Sequence, residues 1–200
     1  MPALDIPFLE AMLVDLNTAE KYPIFVETGT HVGSTIFGVE PMFEELHTIE
    51  IKEEFYEEAR KKYEGDKISF HLGDSSLLLG DIVKELKQPT IFFLDGHWSS
   101  GNTGKGKKDV PLYEELCAIR DNFSHKAIII IDDYNLFGKG PQTGLAEDWS
   151  DITTHGVLKL LKERLGSWRS GESIILGGIG TAGFGADRLL ISLGEGSSEQ

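Results

Sequence analysis

Apolar positions along the chain recur with two alternating periods. Residues 5–16 place Phe8, Leu9, Met12, Leu13 and Leu16 on one helical stripe, which predicts a helix packed on the domain edge. Short runs at 24–28, 46–50, 67–72, 90–94 and 127–131 read as strands. The runs TIFFL (90–94) and AIIII (127–131) are apolar almost throughout, as strands covered on both faces are. Helical patterns separate these strands. One begins at Ser34 and fades by Pro41. Residues 52–63 form a charged helix with Glu57–Lys61 and Glu58–Lys62 pairs outside and Ile51, Phe55 and Ala59 inside. A third pattern, 76–86, stops before Pro89. A fourth, 111–122, opens with Pro111 in its first turn, where the missing N–H is tolerated. The last, 154–165, turns Val157, Leu158, Leu161 and Leu165 inward and ends at Gly166. Runs 173–176 and 188–193 follow with only a glycine-rich turn between them, so the last strand is expected to be antiparallel. The alternation predicts an α/β fold: a mostly parallel sheet with helices on both faces, in one domain over 1–200.

Composition narrows the choice of partners. A formal charge of −14 opposes binding to phosphate backbones or anionic membranes, so neither nucleic acid nor a membrane surface is expected. The longest apolar run, 127–131, is too short to span a bilayer. The N-terminus carries Asp5 and Glu10 where a signal peptide would be basic, and the lone Cys117 suits a reducing cytoplasm.

The candidate chemistry begins at 24–35, IFVETGTHVGST. A strand ending in Glu27 and Thr28 runs into Gly29, Thr30, His31 and Gly33, and Ser34 opens a helix. Such a corner offers close backbone approach and free N–H groups to a polar, nucleotide-like ligand. A G-x-G-x-x-G dinucleotide fingerprint begun at Gly29 would need glycine at positions 31 and 34, which hold His31 and Ser34. Ligands of open α/β sheets sit at the carboxyl ends of the strands, and acids fall at five such ends: Glu27, Glu50, Asp74, Asp95 and Asp132, the last followed by Asp133. Glu50 lies near the ~20-residue spacing from the glycine turn at which an acid reaches a ribose. Asp74-Ser75 fits either a ligand contact or a helix N-cap. Asp95, Asp132 and Asp133, converging from adjacent strands, would need a cation, and oxygen ligation selects Mg²⁺, Mn²⁺ or Ca²⁺ over zinc.

The acid-x-Gly-x-x-x-Gly-x-Thr run at 27–35 resembles motif I of class I S-adenosylmethionine-dependent methyltransferases, and the element layout resembles their Rossmann-like seven-stranded fold over essentially the whole chain. The segments DGHW (95–98) and DDY (132–134) resemble the metal-site motifs of divalent-metal-dependent O-methyltransferases, the macrocin and noviose sugar enzymes above all. The resemblance implies S-adenosylmethionine as methyl donor, S-adenosylhomocysteine as product, and Mg²⁺ or Mn²⁺ at Asp95, Asp132 and Asp133. It places Glu50 at the ribose, Asp74 and Ser75 at the adenine, and Glu27, Thr28, Gly29, Thr30, His31, Gly33, Ser34 and Asp95 around the rest of the cofactor. The acceptor is then a sugar or glycan hydroxyl, and similar modules occur beside glycosyltransferases. His97 is the candidate base, although the resembling sugar enzymes tend to carry aspartate there. Trp98, Tyr134 and Trp149 are expected to stack on the acceptor. Lys105, Lys107 and Lys108 face either an anionic group on it or solvent.

A catechol-like phenol is the alternative acceptor. Rival classes are an NAD-dependent oxidoreductase, opposed by the missing glycines, and a non-catalytic nucleotide-binding module, opposed by the acid trio. Two further matches fail. GNTGKGKK (101–108) lacks the Ser/Thr of a P-loop. GIGTAG (178–183) leaves too little chain for a dinucleotide fold and reads as a hairpin turn.

Overall fold

The computed structural model describes residues 3–170 and 187–196. Among these, seven strands form one sheet: β1 (Ile24–Thr28), β2 (Glu45–Glu50), β3 (Ile68–Leu72), β4 (Thr90–Leu94), β5 (Ala127–Ile131), β6 (Leu165–Ser170) and β7 (Leu189–Leu193). Their order is β3-β2-β1-β4-β5-β7-β6. Strands β1 to β5 are parallel to one another, and β7 runs antiparallel to both β5 and β6. The helices are α1 (Ile6–Asp15), α2 (Ser34–Val39), α3 (Glu53–Lys62), α4 (Ser75–Glu85), α5 (Leu112–Asn122) and α6 (Thr154–Leu161). This is the Rossmann-like arrangement expected, with one antiparallel strand. No helix among the described residues is long and apolar enough to cross a membrane.

The apolar strands are buried on both faces, and alternate residues feed two cores. Val26, Phe92, Leu94, Ile129 and Ile131 join the cluster that includes α4, α5 and α6. Phe25, Phe93, Ile128 and Ile130 join the other, which includes α2. Helix α1 was expected at the domain edge. Its Phe8, Leu9 and Met12 instead share the packed cluster of these central strands, so it covers a face of the sheet. Asp5 caps it, accepting the Phe8 N–H at 2.9 Å.

The C-terminal third departs most from expectation. Helix α6 ends at Leu161, and Leu165–Ser170 is strand β6, where continued helix up to Gly166 had been expected. The stripe Val157, Leu161, Leu165 fits a longer helix, but tertiary bonds redirect the chain. Arg164 donates to the carbonyl oxygens of Phe123, His125 and Gly194, and Leu165 pairs with Leu193 across β7. Pro111 sits one position earlier than expected, as the N-cap of α5. The expected strand at 173–176 and the GIGTAG turn lie outside the described residues.

Chain direction across the sheet reverses between β1 and β4: β2 and β3 lie to one side, β4 and β5 to the other. Such a switch point opens a crevice at the carboxyl ends of these strands. A cleft of about 540 Å³ lies there.

Candidate active site

The glycine turn forms the floor of the cleft. Gly29 has φ +86°, and a Cβ there would strike the backbone carbonyl oxygen of Asp95, so β1 and β4 approach this closely only because the residue is glycine. Gly33, at φ +82°, caps α2 from below. It does not line the cleft, and a Cβ on it would strike the Phe37 ring. Thr28 is fully buried, and its Oγ1 accepts the Asp95 N–H at 3.3 Å, so it ties the two strand ends together without reaching the cleft. Glu27, Gly29, Thr30, His31 and Ser34 do line it, and so does Thr35, the last residue of the 27–35 run.

Glu50, at the end of β2, is buried at the cleft wall. Its Oε2 accepts the His31 N–H at 2.7 Å and its Oε1 the Lys52 N–H at 2.8 Å. Two backbone donors stabilise the carboxylate, and each oxygen keeps a lone pair for a ligand hydroxyl. Beside it, Thr48 donates to Glu27 Oε2 at 2.9 Å and lies 2.5 Å from Thr30 Oγ1. Glu27 has no cationic partner in this chain of hydroxyls. Burial above all, with the Glu50 charge adding to it, pushes its carboxyl up to about 8.

Asp74 takes the capping role, and both Asp74 and Ser75 border the cleft. Asp74 caps α4 through the Ser76 N–H at 2.9 Å while lining the cleft. Ser75 also lines it and donates to Glu115 Oε1 at 2.6 Å. Glu115, from α5, gave no sequence signal because it sits among the charged positions of an amphipathic helix. It is 1% exposed, and burial lifts it to about 7. It lies beneath Gly96 and holds the wall of the cleft together.

The acids at the ends of β4 and β5 do not converge as a trio of aspartates. Asp132 turns to Arg188, whose Nε donates to Oδ1 at 3.2 Å. Arg188 is itself 4% exposed, so this is a buried pair that neutralises Asp132. His97 takes the third place instead. One donor atom each from Asp95, His97 and Asp133 lies within 4.8 Å of the others, the one such group of three among the described residues. His97 Nε2 is 3.2 Å from Asp133 and Nδ1 is 3.6 Å from Asp95. Burial drives the Asp95 carboxyl well above its usual range, and Asp132 and Asp133 add to the effect. Asp133 rises to about 6, from burial and then from Asp187 and Glu147. Burial lowers His97, which is therefore neutral at pH 7. Asp133 has φ +53° and His31 φ +47°; backbone strain at both sites costs about 1–3 kcal/mol each.

The expected acceptor aromatics lie elsewhere. Trp149 is 2% exposed, packs edge-on to His97 at 4.9 Å, and donates to Glu147 at 3.2 Å. It backs the histidine and offers no stacking face. Trp98 has the Lys105 ammonium 3.8 Å above its ring. The Tyr134 hydroxyl accepts from Thr154 at 3.1 Å, and its ring leans on Phe137. None of the three lines the cleft. Lys105 pairs with Asp109 and Lys108 with Glu114, and both Lys107 and Lys108 line the cleft.

No protein-family model matches the chain, and comparison with curated proteins finds no match. Solved structures do share the fold. The O-methyltransferase TomG from Streptomyces achromogenes, involved in tomaymycin synthesis and solved with S-adenosylmethionine, superposes with a TM-score of 0.58 at 19% identity, over 96% of this chain and 82% of its own. A S-adenosylmethionine-dependent methyltransferase from Clostridium acetobutylicum gives 0.55 at 12% identity, over 95% and 90%. MycE, from the mycinamycin biosynthetic pathway and solved with Mg and S-adenosylhomocysteine, gives 0.59 at 13%, over 97% of this chain and 50% of its own. The chain therefore has the methyltransferase fold.

Proposed function

We propose that this protein is an S-adenosylmethionine-dependent O-methyltransferase that modifies a sugar or glycan hydroxyl with the help of Mg²⁺ or Mn²⁺. The observation that carries the reading is Glu50: a buried carboxylate at the switch-point cleft, held by two N–H donors, with a free lone pair on each oxygen for the two ribose hydroxyls. TomG and MycE, solved with the methyl donor and its product, support the cofactor. MycE, solved with Mg, supports the metal. The sugar acceptor rests on the likeness of DGHW and DDY to sugar-enzyme motifs.

The donor set fits a divalent ion. Asp95 and Asp133 bring two carboxylates toward one point, and burial raises the proton affinity of both, with Asp132 and Asp133 adding to it at Asp95 and Asp187 and Glu147 at Asp133. When bound, the ion would lower the pKa of an acceptor hydroxyl, and the sulfonium cofactor would supply the methyl group. The protein's own residues do the rest. Glu50 and the Gly29 turn orient the nucleoside, while Asp74 and Ser75 border its base. With both ligands bound, the cleft would have to present the acceptor oxygen to the methyl group, since positioning supplies much of the rate. His97, neutral before reaction, takes the hydroxyl proton. Asp133 at 3.2 Å and Asp95 at 3.6 Å then stabilise the imidazolium. Work beside a glycosyltransferase in the cytoplasm is part of the same reading.

The test is transfer of a trideuteromethyl group to a panel of nucleotide sugars, glycosides and catechols, followed by mass spectrometry with Mn²⁺ or with chelator. Mass gain on a sugar, lost with chelator, is expected. Gain on catechols alone would move the acceptor class, and cofactor binding with no metal response would remove the metal.

A further inference from the structure

The outer strands of the sheet carry a second group of ligating side chains, away from the strand-end acids. Glu45 and His47 lie on β2 and His71 on β3. The register Ile49↔His71, with the two-residue alternation of strands, puts all three on one face. His47 Nε2 is 2.9 Å from Glu45 Oε1, and His47 Nδ1 is 3.1 Å from His71 Nε2. The rings lie 17° from parallel. An ionised carboxylate only accepts, so Glu45 fixes a proton on Nε2 of His47 and leaves the lone pair on Nδ1, facing the second imidazole. Burial above all lowers His71 to about 4, so its imidazole is neutral at pH 7.

We propose that His47 Nδ1 and His71 Nε2 bind one transition-metal ion of the zinc class, with Glu45 orienting His47 from behind and water completing the coordination. Two nitrogens on one tetrahedral zinc stand about 3.3 Å apart. The present separation of 3.1 Å needs little change. His71 presents Nε2 by carrying its proton on Nδ1. A carboxylate on the far nitrogen of a ligating histidine is the usual outer arrangement of such sites. Imidazole ligands favour Zn²⁺, Cu²⁺ or Ni²⁺, whereas the carboxylate-dominated group at Asp95 and Asp133 suits Mg²⁺ or Mn²⁺. The ion would clip edge strand β3 to β2, the strands whose carboxyl ends lead to Asp74 and Glu50.

Histidine-ring ¹⁵N–¹H NMR during a ZnCl₂ titration in excess Mg²⁺ tests this on the unaltered protein, with calorimetry beside it. Zinc should shift the ring nitrogens of His47 and His71 together at about one equivalent. His71→Gln should lose that binding step, Asp133→Asn should keep it, and Glu45→Gln should weaken it ~10- to 100-fold. Unmoved His47 and His71 rings under excess zinc, or a His71→Gln protein that binds as many equivalents as the original, overturns the proposal. If a variant fails to fold, the ring spectrum of the unaltered protein decides.

Discussion

Glu27 is a carboxyl group 1% exposed, with a threonine hydroxyl as its donor and no cation beside it among the described residues. Its proton affinity rises from about 4.5 to about 8 on folding. Between those values the folded chain holds a proton that the unfolded chain has lost, so folding stability falls as pH climbs through this window. The penalty is absent below about pH 4.5 and complete above about pH 8. At ~1.4 kcal/mol per pKa unit, the full penalty is about 5 kcal/mol. Water entry and relaxation at the cleft reduce this, and about 2–3 kcal/mol is the working expectation. Glu27→Gln resembles the protonated acid and cannot ionise. Urea unfolding of both proteins from pH 5 to pH 9 should therefore show near-equal stability at the acid end and a variant more stable by about 2–3 kcal/mol at the alkaline end. Glu115 and Asp133 also titrate in this range, but they are common to both proteins and largely cancel in the difference. Parallel pH profiles would refute the raised proton affinity of Glu27 in the folded protein.

Other perturbations read other parts of the site. Gly29→Ala combines positive φ with a Cβ driven into the Asp95 carbonyl; thermal unfolding should report about 2–4 kcal/mol lost, with cofactor binding lost even where the fold survives. Asp132→Asn leaves the buried Arg188 cation without its partner, which should cost about 3–5 kcal/mol in stability, while Mn²⁺ binding by calorimetry persists. Loss of Mn²⁺ binding in that variant would return Asp132 to the metal group. His97→Gln should lower kcat ~10²- to 10⁴-fold with Mn²⁺ affinity retained; lost affinity would make the histidine a ligand and not the base.

Much of this was legible in the chain because local signals and burial agreed. Strands β4 and β5 are short, apolar and bounded by polar loops, so their ends, and the acids at those ends, could be placed within a residue. Glu50 was found by spacing from Gly29. What failed required knowledge of partners distant in sequence. Asp132 and Asp133 are adjacent and chemically identical, and only Arg188, 56 residues on, pairs one of them and leaves the other grouped with Asp95 and His97. Asp133 keeps its place through positive φ, which an aspartate tolerates but does not advertise. Trp149 was expected to stack on the acceptor, yet its loop folds back and buries it against His97 and Phe137. Glu115 was invisible because a buried carboxyl on an amphipathic helix reads as part of its polar face. The end of α6 was misjudged because leucines four apart satisfy a helix, while the pairing of Leu165 with Leu193 is non-local.

The most direct test is calorimetric titration of the protein and its Glu50→Gln variant with S-adenosylmethionine, and separately with NAD⁺. Charge-assisted hydrogen bonds to two ribose hydroxyls should make binding of S-adenosylmethionine one-to-one, and ~10- to 100-fold weaker in the variant, with no measurable NAD⁺ binding. Binding of NAD⁺ in place of S-adenosylmethionine, or equal affinity of both proteins for S-adenosylmethionine, would contradict a cleft built around a cationic nucleoside.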